Sequence, residues 1–196
     1  MNNNRLKATF TMLGATTFVS CSVKLDNNII QSNKTEIGKT NNPQSLVITE
    51  TIEQNNLIAN KNNEDLSYLE QLTHQQINQY RNSRNLPSLK IDNSISQQAR
   101  IHSQNMAQGK VPFSHEGFDK RIESVSSTIS YRSAAENVAY NQGYSDPVEK
   151  AVSGWIKSPG HHKNMIGNYN LTGIGVAKNS QGEYYFTQIF VLGNKF

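Results

Sequence analysis

Three segments that lie far apart in the chain each supply a side chain able to exchange a proton or to bind a ligand. His115 follows Phe113 and Ser114, Glu136 lies in an Ala-Glu-Asn sequence, and His161 follows a Ser-Pro-Gly sequence. Imidazole changes its charge near neutral pH, and a neighbouring carboxylate can share its proton. If folding brings them together, the three groups form the smallest set for a shared proton, a metal ion or a polar ligand.

The position of His161 depends on a helix that must end just before it. Asp146 can cap the helix start, and Pro147 suits the first turn. Pro159 and Gly160 end this helix, because proline lacks an amide donor and glycine accepts left-handed angles. The buried face is predicted to contain Val148, Ala151, Val152, Trp155 and Ile156.

Two further helices are predicted upstream. The first begins at a Ser-x-x-Glu capping pattern over residues 67–70 and ends before Pro87. The second follows Asp92 and closes at Gly109, with His102 on its apolar stripe. His102 is therefore interpreted as a core histidine.

The domain ends with two strand-like runs, at residues 172–177 and 184–192, which are joined by a turn-rich segment. The second run is apolar on both faces, which favours a central strand covered by helices on both sides. Tyr185, Ile189 and Val191 share one face, and Tyr184, Phe186 and Phe190 share the other. Residues 117–134 are predicted to form loops around a short helix.

In order, the segments described above resemble the bacterial branch of the CAP superfamily, the cysteine-rich secretory, antigen five and pathogenesis-related group, also called SCP-like. The similarity extends over roughly residues 66–193. It is carried by His115, Ala135-Glu136-Asn137, the Trp155 to His161 segment, Asn164, and the closing Tyr185 to Phe190 segment.

The resemblance implies an α+β fold, a three-layer α-β-α sandwich with a small, mainly antiparallel central sheet. It also implies a cleft cluster of His115, Glu136 and His161, where some members bind a divalent cation, while others bind lipids or peptides elsewhere. Eukaryotic relatives carry a second glutamate three residues after the tryptophan, and Ser158 occupies that position here. The resemblance therefore implies no second carboxylate.

The first twenty residues are typical of an export signal, with two cations before a short apolar core. Cys21 is the only cysteine and follows the small residue Ser20, which favours lipid attachment and a bacterial lipoprotein, anchored to the membrane outside the cytoplasm. The alternative is ordinary secretion, with Cys21 left in the removed peptide. A single cysteine excludes an internal disulfide.

The remaining chain is predicted to contain a flexible Asn/Gln-rich tether over residues 21–64 and one domain over residues 65–196. Loss of Arg5 and Lys7 with the signal lowers the formal charge from +4 to +2. No basic stripe with interleaved aromatic residues is visible, so a nucleic-acid partner is not expected.

Each site residue also has a structural interpretation. His115 could bond backbone carbonyls in a loop, and Glu136 could cap a helix by bonding the amide of Ser133. His161 and His162 diverge by about 100° if they lie on a helical turn, so only one should face the cleft. The resemblance selects His161. Asn164 is interpreted as a structural residue.

Three functions remain open. The first is a non-enzymatic binding module, tethered by Cys21, that receives a polar, lipid or peptide ligand between His115, Glu136 and His161. The second is a metal-dependent hydrolase of peptide or envelope substrates, with His115 and His161 binding zinc or another divalent cation and Glu136 as catalytic base. The third is a hydrogen-bonded clamp that joins loops to the sheet.

Overall fold

The computed structural model describes residues 43–194, and it describes side chains from Thr51 onward. From Gln44 onward the described residues form one compact unit. The predicted export signal, the lipidation site Cys21 and the first part of the tether therefore lie outside the described residues.

Five helices and four strands follow one another in the described residues. They are α1 (Pro43–Asn82), β1 (Lys90–Ile91), α2 (Asn93–Ala107), α3 (Phe118–Ser126), β2 (Tyr131–Asn141), α4 (Pro147–Lys157), α5 (Pro159–Met165), β3 (Leu171–Lys178) and β4 (Tyr184–Gly193). Within this part of the chain no helix is both long and apolar enough to cross a membrane.

The four strands form one mixed sheet in the order β1-β3-β4-β2. Strand β1 pairs with β3 in parallel, whereas β4 pairs antiparallel with both β3 and β2. The predicted α+β fold with a small, mainly antiparallel sheet is confirmed.

A separate hydrophobic cluster covers each face of the sheet, which produces the three layers. Phe186 and Phe190 of β4 pack with Trp155 of α4 on one face, while Ile189 and Val191 pack against α2 and α3 on the other. The alternation predicted for β4 is thus confirmed, because successive side chains of a strand point to opposite faces.

The predicted starts of α2 and α4 are also confirmed. The side chain of Asp92 accepts the backbone N–H groups of Ser94 and Ile95, and that of Asp146 accepts the N–H of Glu149. These bonds satisfy amide donors that the first helical turn leaves without partners.

Helix α1 begins earlier than predicted, at Pro43 rather than at the capping pattern of residues 67–70. Residues 43–64 are helical where a flexible tether was predicted, although residues 51–65 are all exposed. A Ser-x-x-Glu pattern caps a helix only where the first-turn amides are free, and here residue 67 lies inside the helix. The carboxylate of Glu70 instead accepts a hydrogen bond from Nη2 of Arg100 at 2.6 Å and another from the backbone N–H of Val176 at 3.2 Å.

The strand β2 was not predicted. Residues 131–134 were assigned to loops, and the capping interpretation of Glu136 is wrong because residues 133–136 pair with β4. The sequence of β2 lacks the large apolar alternation that normally reveals a strand, since its inward positions are mostly small or polar. Pairing along the whole of β4 supplies the stability that local preference does not.

A close approach of α2 to β3 depends on glycine. A Cβ atom at Gly175 would lie 2.2 Å from the backbone nitrogen of Arg100 and 2.3 Å from the carbonyl carbon of Ala99. We expect Gly175→Ala to lower the free energy of unfolding by about 2–3 kcal/mol, because the helix backbone must move away from the sheet. Urea denaturation measures this loss. Gly154→Ala is the control, since nothing lies within 4 Å of its added Cβ, and an equal loss in both variants would contradict the explanation.

Candidate functional site

The loop before α3 and the edge strand β2 bring two of the predicted site residues together. The Nδ1–H group of His115 donates to Oε1 of Glu136 over 3.0 Å. The Glu136 side chain is 2% exposed, whereas that of His115 is 51% exposed. The carboxylate is therefore buried beneath an imidazole that faces solvent, and this bond leaves Nε2 of His115 for a ligand.

Arg121 of α3 completes this group. Its Nε donates to Oε2 of Glu136 at 2.9 Å and its Nη2 donates to Oε1 at 2.8 Å, a bidentate pair. Its Nη1 also donates to the backbone carbonyl of Glu116 at 2.9 Å. The guanidinium thus ties strand β2 to the loop that carries His115. Two planar groups bonded in this way hold each other in a defined orientation.

His161 lies on α5 and approaches His115 from the opposite side. The centres of the two rings are 6.4 Å apart. Nδ1 of His161 is hydrogen-bonded to Oγ of Ser158 over 2.9 Å. Each ring therefore uses Nδ1 for a bond to the protein, and Nε2 is the atom that each retains for a ligand. The structure brings His115 and Glu136 into contact and places His161 next to His115.

Two asparagines fix α5 against β2. The side-chain amide of Asn137 donates to the carbonyl of His161 at 3.1 Å. The side-chain amide of Asn164 donates to the carbonyl of Glu136 at 3.2 Å and to Oδ1 of Asn137 at 2.9 Å. Asn137 is fully buried, so these bonds satisfy polar groups that would otherwise be costly to bury.

The remaining histidines near the site make structural contacts. His162 turns away from His161 and bonds the hydroxyl of Tyr80 over 2.9 Å. His102 is buried, and its Nε2–H donates to the carbonyl of Ser114 over 2.9 Å. His102 therefore supports the loop from below, one residue before His115.

A groove of about 300 Å³ opens beside His161, between β2 and α4. Its apolar side includes Phe113 and Tyr140, whose rings are 6.2 Å apart and which are 51% and 45% exposed. Trp155 forms the buried wall, and its Nε1–H donates to the carbonyl of Val138 at 2.9 Å. The groove thus combines an aromatic side with the polar groups of Ser158 and His161.

Burial lowers the pKa of His161 below its ordinary value of 6.5, and the neighbouring His115 lowers it further. Burial also lowers the pKa of His102, although its bond to the Ser114 carbonyl acts in the opposite direction. Both imidazoles are consequently neutral at pH 7. A charged ligand bound at His161 would therefore meet a neutral ring.

These shifts predict a pH dependence of stability. Since the folded-state pKa of His161 is below the unfolded value, the unfolded chain binds the proton first as the pH falls. The free energy of unfolding should therefore decrease as the pH falls through about 6.5, and this decrease should stop below the folded-state pKa. Thermal unfolding between pH 8 and pH 5 measures it, and His161→Gln should make the dependence shallower. If His161→Gln showed the same pH dependence as the unchanged protein, the lowered pKa of His161 would not be its cause.

The donor set does not match a metal centre with three protein ligands. Catalytic zinc sites use three protein ligands and keep one open position. No group of three or more His, Cys, Asp or Glu side chains within the described residues could hold a metal. His115 and His161 supply two nitrogen atoms, and both oxygens of Glu136 already accept bonds from Arg121. A three-ligand zinc site does not fit these residues.

The sequence analysis missed Arg121, whose guanidinium bonds both carboxylate oxygens of Glu136 and the loop that carries His115. One signal was present in the sequence. Arg121 is adjacent to Ile122 and precedes Val125 by four positions, so it lies on the buried stripe of α3. A guanidinium on such a stripe needs an acceptor, because a buried charge is stable only when it is paired.

Comparison with known proteins agrees with this fold. The family model described as the cysteine-rich secretory protein family, CAP, matches residues 74–190. YkwD of Bacillus subtilis (strain 168) is 37% identical over 117 residues, which are 58% of this chain and 43% of YkwD. The chain thus matches less than half the length of that relative.

Several solved structures share the fold. An extracellular protein containing an SCP domain from Bacillus anthracis is 28% identical, with a TM-score of 0.54 over 64% of this chain and 41% of that one. A cysteine-rich secretory protein from Staphylococcus aureus is 21% identical, with a TM-score of 0.53. The match covers 66% of this chain and 40% of that protein. An outer surface protein from Borrelia burgdorferi is 18% identical, with a TM-score of 0.56. The match covers 65% of this chain and 94% of that protein.

The family model covers more than half of the chain, and the residues it matches include His115, Glu136 and His161. The protein therefore belongs to the bacterial branch of the cysteine-rich secretory protein, or CAP, family.

Proposed function

We propose that this protein is an exported, non-enzymatic binding module that receives an amphipathic ligand in the groove beside His115 and His161. The observation that carries the proposal is the state of Glu136. Its carboxylate is buried and is bonded by His115 and by two nitrogens of Arg121.

A general base must lie within hydrogen-bond reach of the proton it removes. Oε1 of Glu136 accepts two bonds and Oε2 accepts one, while the side chain is only 2% exposed. A substrate or water in the groove therefore has no open approach to the carboxylate. In this proposal Glu136 is a positioning residue that orients His115.

The groove itself favours an amphipathic ligand. Phe113 and Tyr140 offer exposed aromatic surface, which stacks on apolar or planar groups. His115 and His161 each offer Nε2 for one hydrogen bond. Small-molecule sites commonly combine an apolar lining with a few polar groups that fix orientation.

The proposal places the module outside the cytoplasm, anchored through a lipid on Cys21. It is supported by the signal-like sequence of residues 1–20 and by relatives described as extracellular and outer surface proteins. Mass spectrometry of the membrane-extracted protein should show a lipid-modified cysteine at its amino terminus. Recovery of an unmodified, soluble chain from the culture medium would instead support ordinary secretion.

The test of the binding module is turnover. The purified protein should release no product from peptides or cell-envelope fragments, with or without added zinc. Turnover that disappears in Glu136→Gln, with the same melting temperature as the unchanged protein, would overturn the proposal.

A second candidate is a metal-dependent hydrolase of peptide or envelope substrates. It is favoured by His115 and His161, because the Nδ1 atom of each is hydrogen-bonded to the protein and the Nε2 atom of each remains for a metal. With two protein ligands, zinc or another divalent cation would be held weakly. Calorimetry with zinc at neutral pH tests this candidate. The hydrolase candidate requires a heat of zinc binding that is lost in His115→Ala. If no such heat is measured, this candidate is excluded.

A further inference from the structure

Ser158 occupies the N-cap position of α5 but does not cap the helix. Its backbone is extended, with φ −97° and ψ 116°, and at such a position a serine hydroxyl normally accepts an amide N–H of the first helical turn. The Ser158 side chain makes no bond of this kind, whereas Asp92 and Asp146 cap α2 and α4. Its Oγ is instead 2.9 Å from Nδ1 of His161. The hydroxyl is thus committed to a side chain that lines the groove.

The backbone around this bond is fixed by other contacts. The N–H of Ser158 donates to the carbonyl of Trp155 at 3.3 Å, and the carbonyl of Ser158 accepts the N–H of His162 at 2.8 Å. The carbonyl of His161 accepts the side-chain amide of Asn137 at 3.1 Å. These bonds leave open the rotation of the His161 ring and the choice of the ring nitrogen that carries the proton. The bond to Ser158 acts on both.

The direction of the bond follows from what the Ser158 hydroxyl can reach. A neutral imidazole has one N–H donor and one unprotonated acceptor nitrogen. Burial keeps the His161 ring neutral at pH 7, because it lowers the pKa of the ring. If Nδ1–H donated to Oγ, the hydroxyl proton would need a second acceptor, and within residues 51–194 Oγ has no other hydrogen-bond partner. Donation from the hydroxyl to Nδ1 satisfies both groups with one bond.

We propose that Ser158 is a positioning residue that holds His161 in the tautomer with its proton on Nε2, so that the groove presents an N–H donor to its ligand. The inference deepens the proposed function and rests on it for the use of the groove as a binding site. An N–H at Nε2 selects a ligand with an acceptor oxygen, such as an amide or ester carbonyl, at this end of the groove. An unprotonated Nε2 would instead select donor groups or a metal ion.

Long-range proton–nitrogen NMR of the nitrogen-15-labelled full chain at about pH 8, above the ordinary pKa of imidazole, reports which nitrogen of His161 carries the proton. The signal is assigned by its absence from the spectrum of His161→Gln. We expect Nε2 to be protonated and Nδ1 to be unprotonated. In Ser158→Ala the ratio of this tautomer to the other should fall by about fivefold, because one neutral hydrogen bond is lost. Ser158→Thr keeps the hydroxyl and should restore the ratio.

Two further variants separate the polarity of the bond from a general change in the helix. Ser158→Asp should move the proton to Nδ1, since an ionised carboxylate only accepts hydrogen bonds. The matched control is Ser153→Ala on α4, because the Ser153 hydroxyl lies 3.4 Å from the carbonyl of Lys150 and bonds no histidine. The control should change the tautomer ratio by less than about twofold.

Three results would overturn the inference. They are a protonated Nδ1 in the unchanged protein, a ratio in Ser158→Ala that differs no more than in Ser153→Ala, and an Nε2 that alone keeps the proton in Ser158→Asp. The amide signals of the same samples show whether each variant is folded, and Ser158→Asp carries the test if Ser158→Ala is not. The tautomer is measured without a ligand or substrate, so its failure is distinguishable from a failure of the proposed function.

Discussion

Replacing Arg121 by methionine should lower the free energy of unfolding by about 3–5 kcal/mol at neutral pH, because the carboxylate of Glu136 would remain buried without its partner. Glu136 is 2% exposed and Arg121 is 10% exposed, so water cannot replace the lost bonds. The bond from Arg121 to the carbonyl of Glu116 is lost as well. Urea denaturation at pH 7 measures the change.

Two further variants distinguish a buried charge from a simple loss of packing. In Arg121→Met/Glu136→Leu no charge is buried, so the double variant should recover most of the stability. Arg132→Met is the control, since Arg132 is exposed on β2, the strand that carries Glu136. This substitution should change the free energy of unfolding by no more than about 0.5 kcal/mol. A double variant that is less stable than Arg121→Met would show that the lost ion pair does not cause the destabilisation.

Replacing Trp155 by alanine should lower the free energy of unfolding by about 3–5 kcal/mol. Trp155 is 2% exposed and packs in the hydrophobic cluster between α4 and the sheet. Its removal leaves a cavity and also deprives the carbonyl of Val138, on the edge strand, of its hydrogen-bond donor. Thermal and urea denaturation measure the loss.

The more conservative variant Trp155→Phe separates the two contributions. It keeps most of the ring volume but cannot donate to Val138, so we expect a loss of about 1–2 kcal/mol. Ile101→Ala is the control, because Ile101 is 42% exposed on α2 and should change stability by about 0.5 kcal/mol or less. If Trp155→Ala lost no more than Trp155→Phe, cavity formation would not explain the effect.

The hydrogen bonds around the site join two helices to the edge strand. Arg121 and Glu136 join α3 to the edge strand, while Asn137 and Asn164 join α5 to the same strand. The first set ends at His115, and the second ends at His161, which lines the groove. We therefore expect variants of Glu136 to affect ligand affinity through the position of His115, together with the melting temperature.

The helices α2 and α4 could be predicted closely because their start signals are local. Asp92 and Asp146 cap amides two or three residues away, and no distant contact is needed. The two long carboxyl-terminal strands were also predictable, since β3 and β4 are joined by a short turn and carry strong apolar patterns. Local signals of this kind are present in the sequence whether or not the rest of the chain has folded.

The strand β2 and the start of α1 could not be predicted in the same way. Residues 131–141 carry mostly small or polar side chains at their inward positions, and they become a strand because β4 offers a pairing edge. The capping pattern of residues 67–70 was misleading, since Glu70 is bonded by Arg100 and by the amide of Val176, more than a hundred residues away. In both cases a long-range contact outweighs the local preference.

The sequence by itself indicated the family through its motifs, and it determined the starts of α2 and α4, because these signals are properties of neighbouring residues. Only the tertiary structure decided what Glu136 does. Its carboxylate could have capped a helix, bound a metal or accepted a proton, and the choice depends on which groups surround it. Folding places the guanidinium of Arg121 against both its oxygens and buries the pair, so that the carboxylate holds His115 in position.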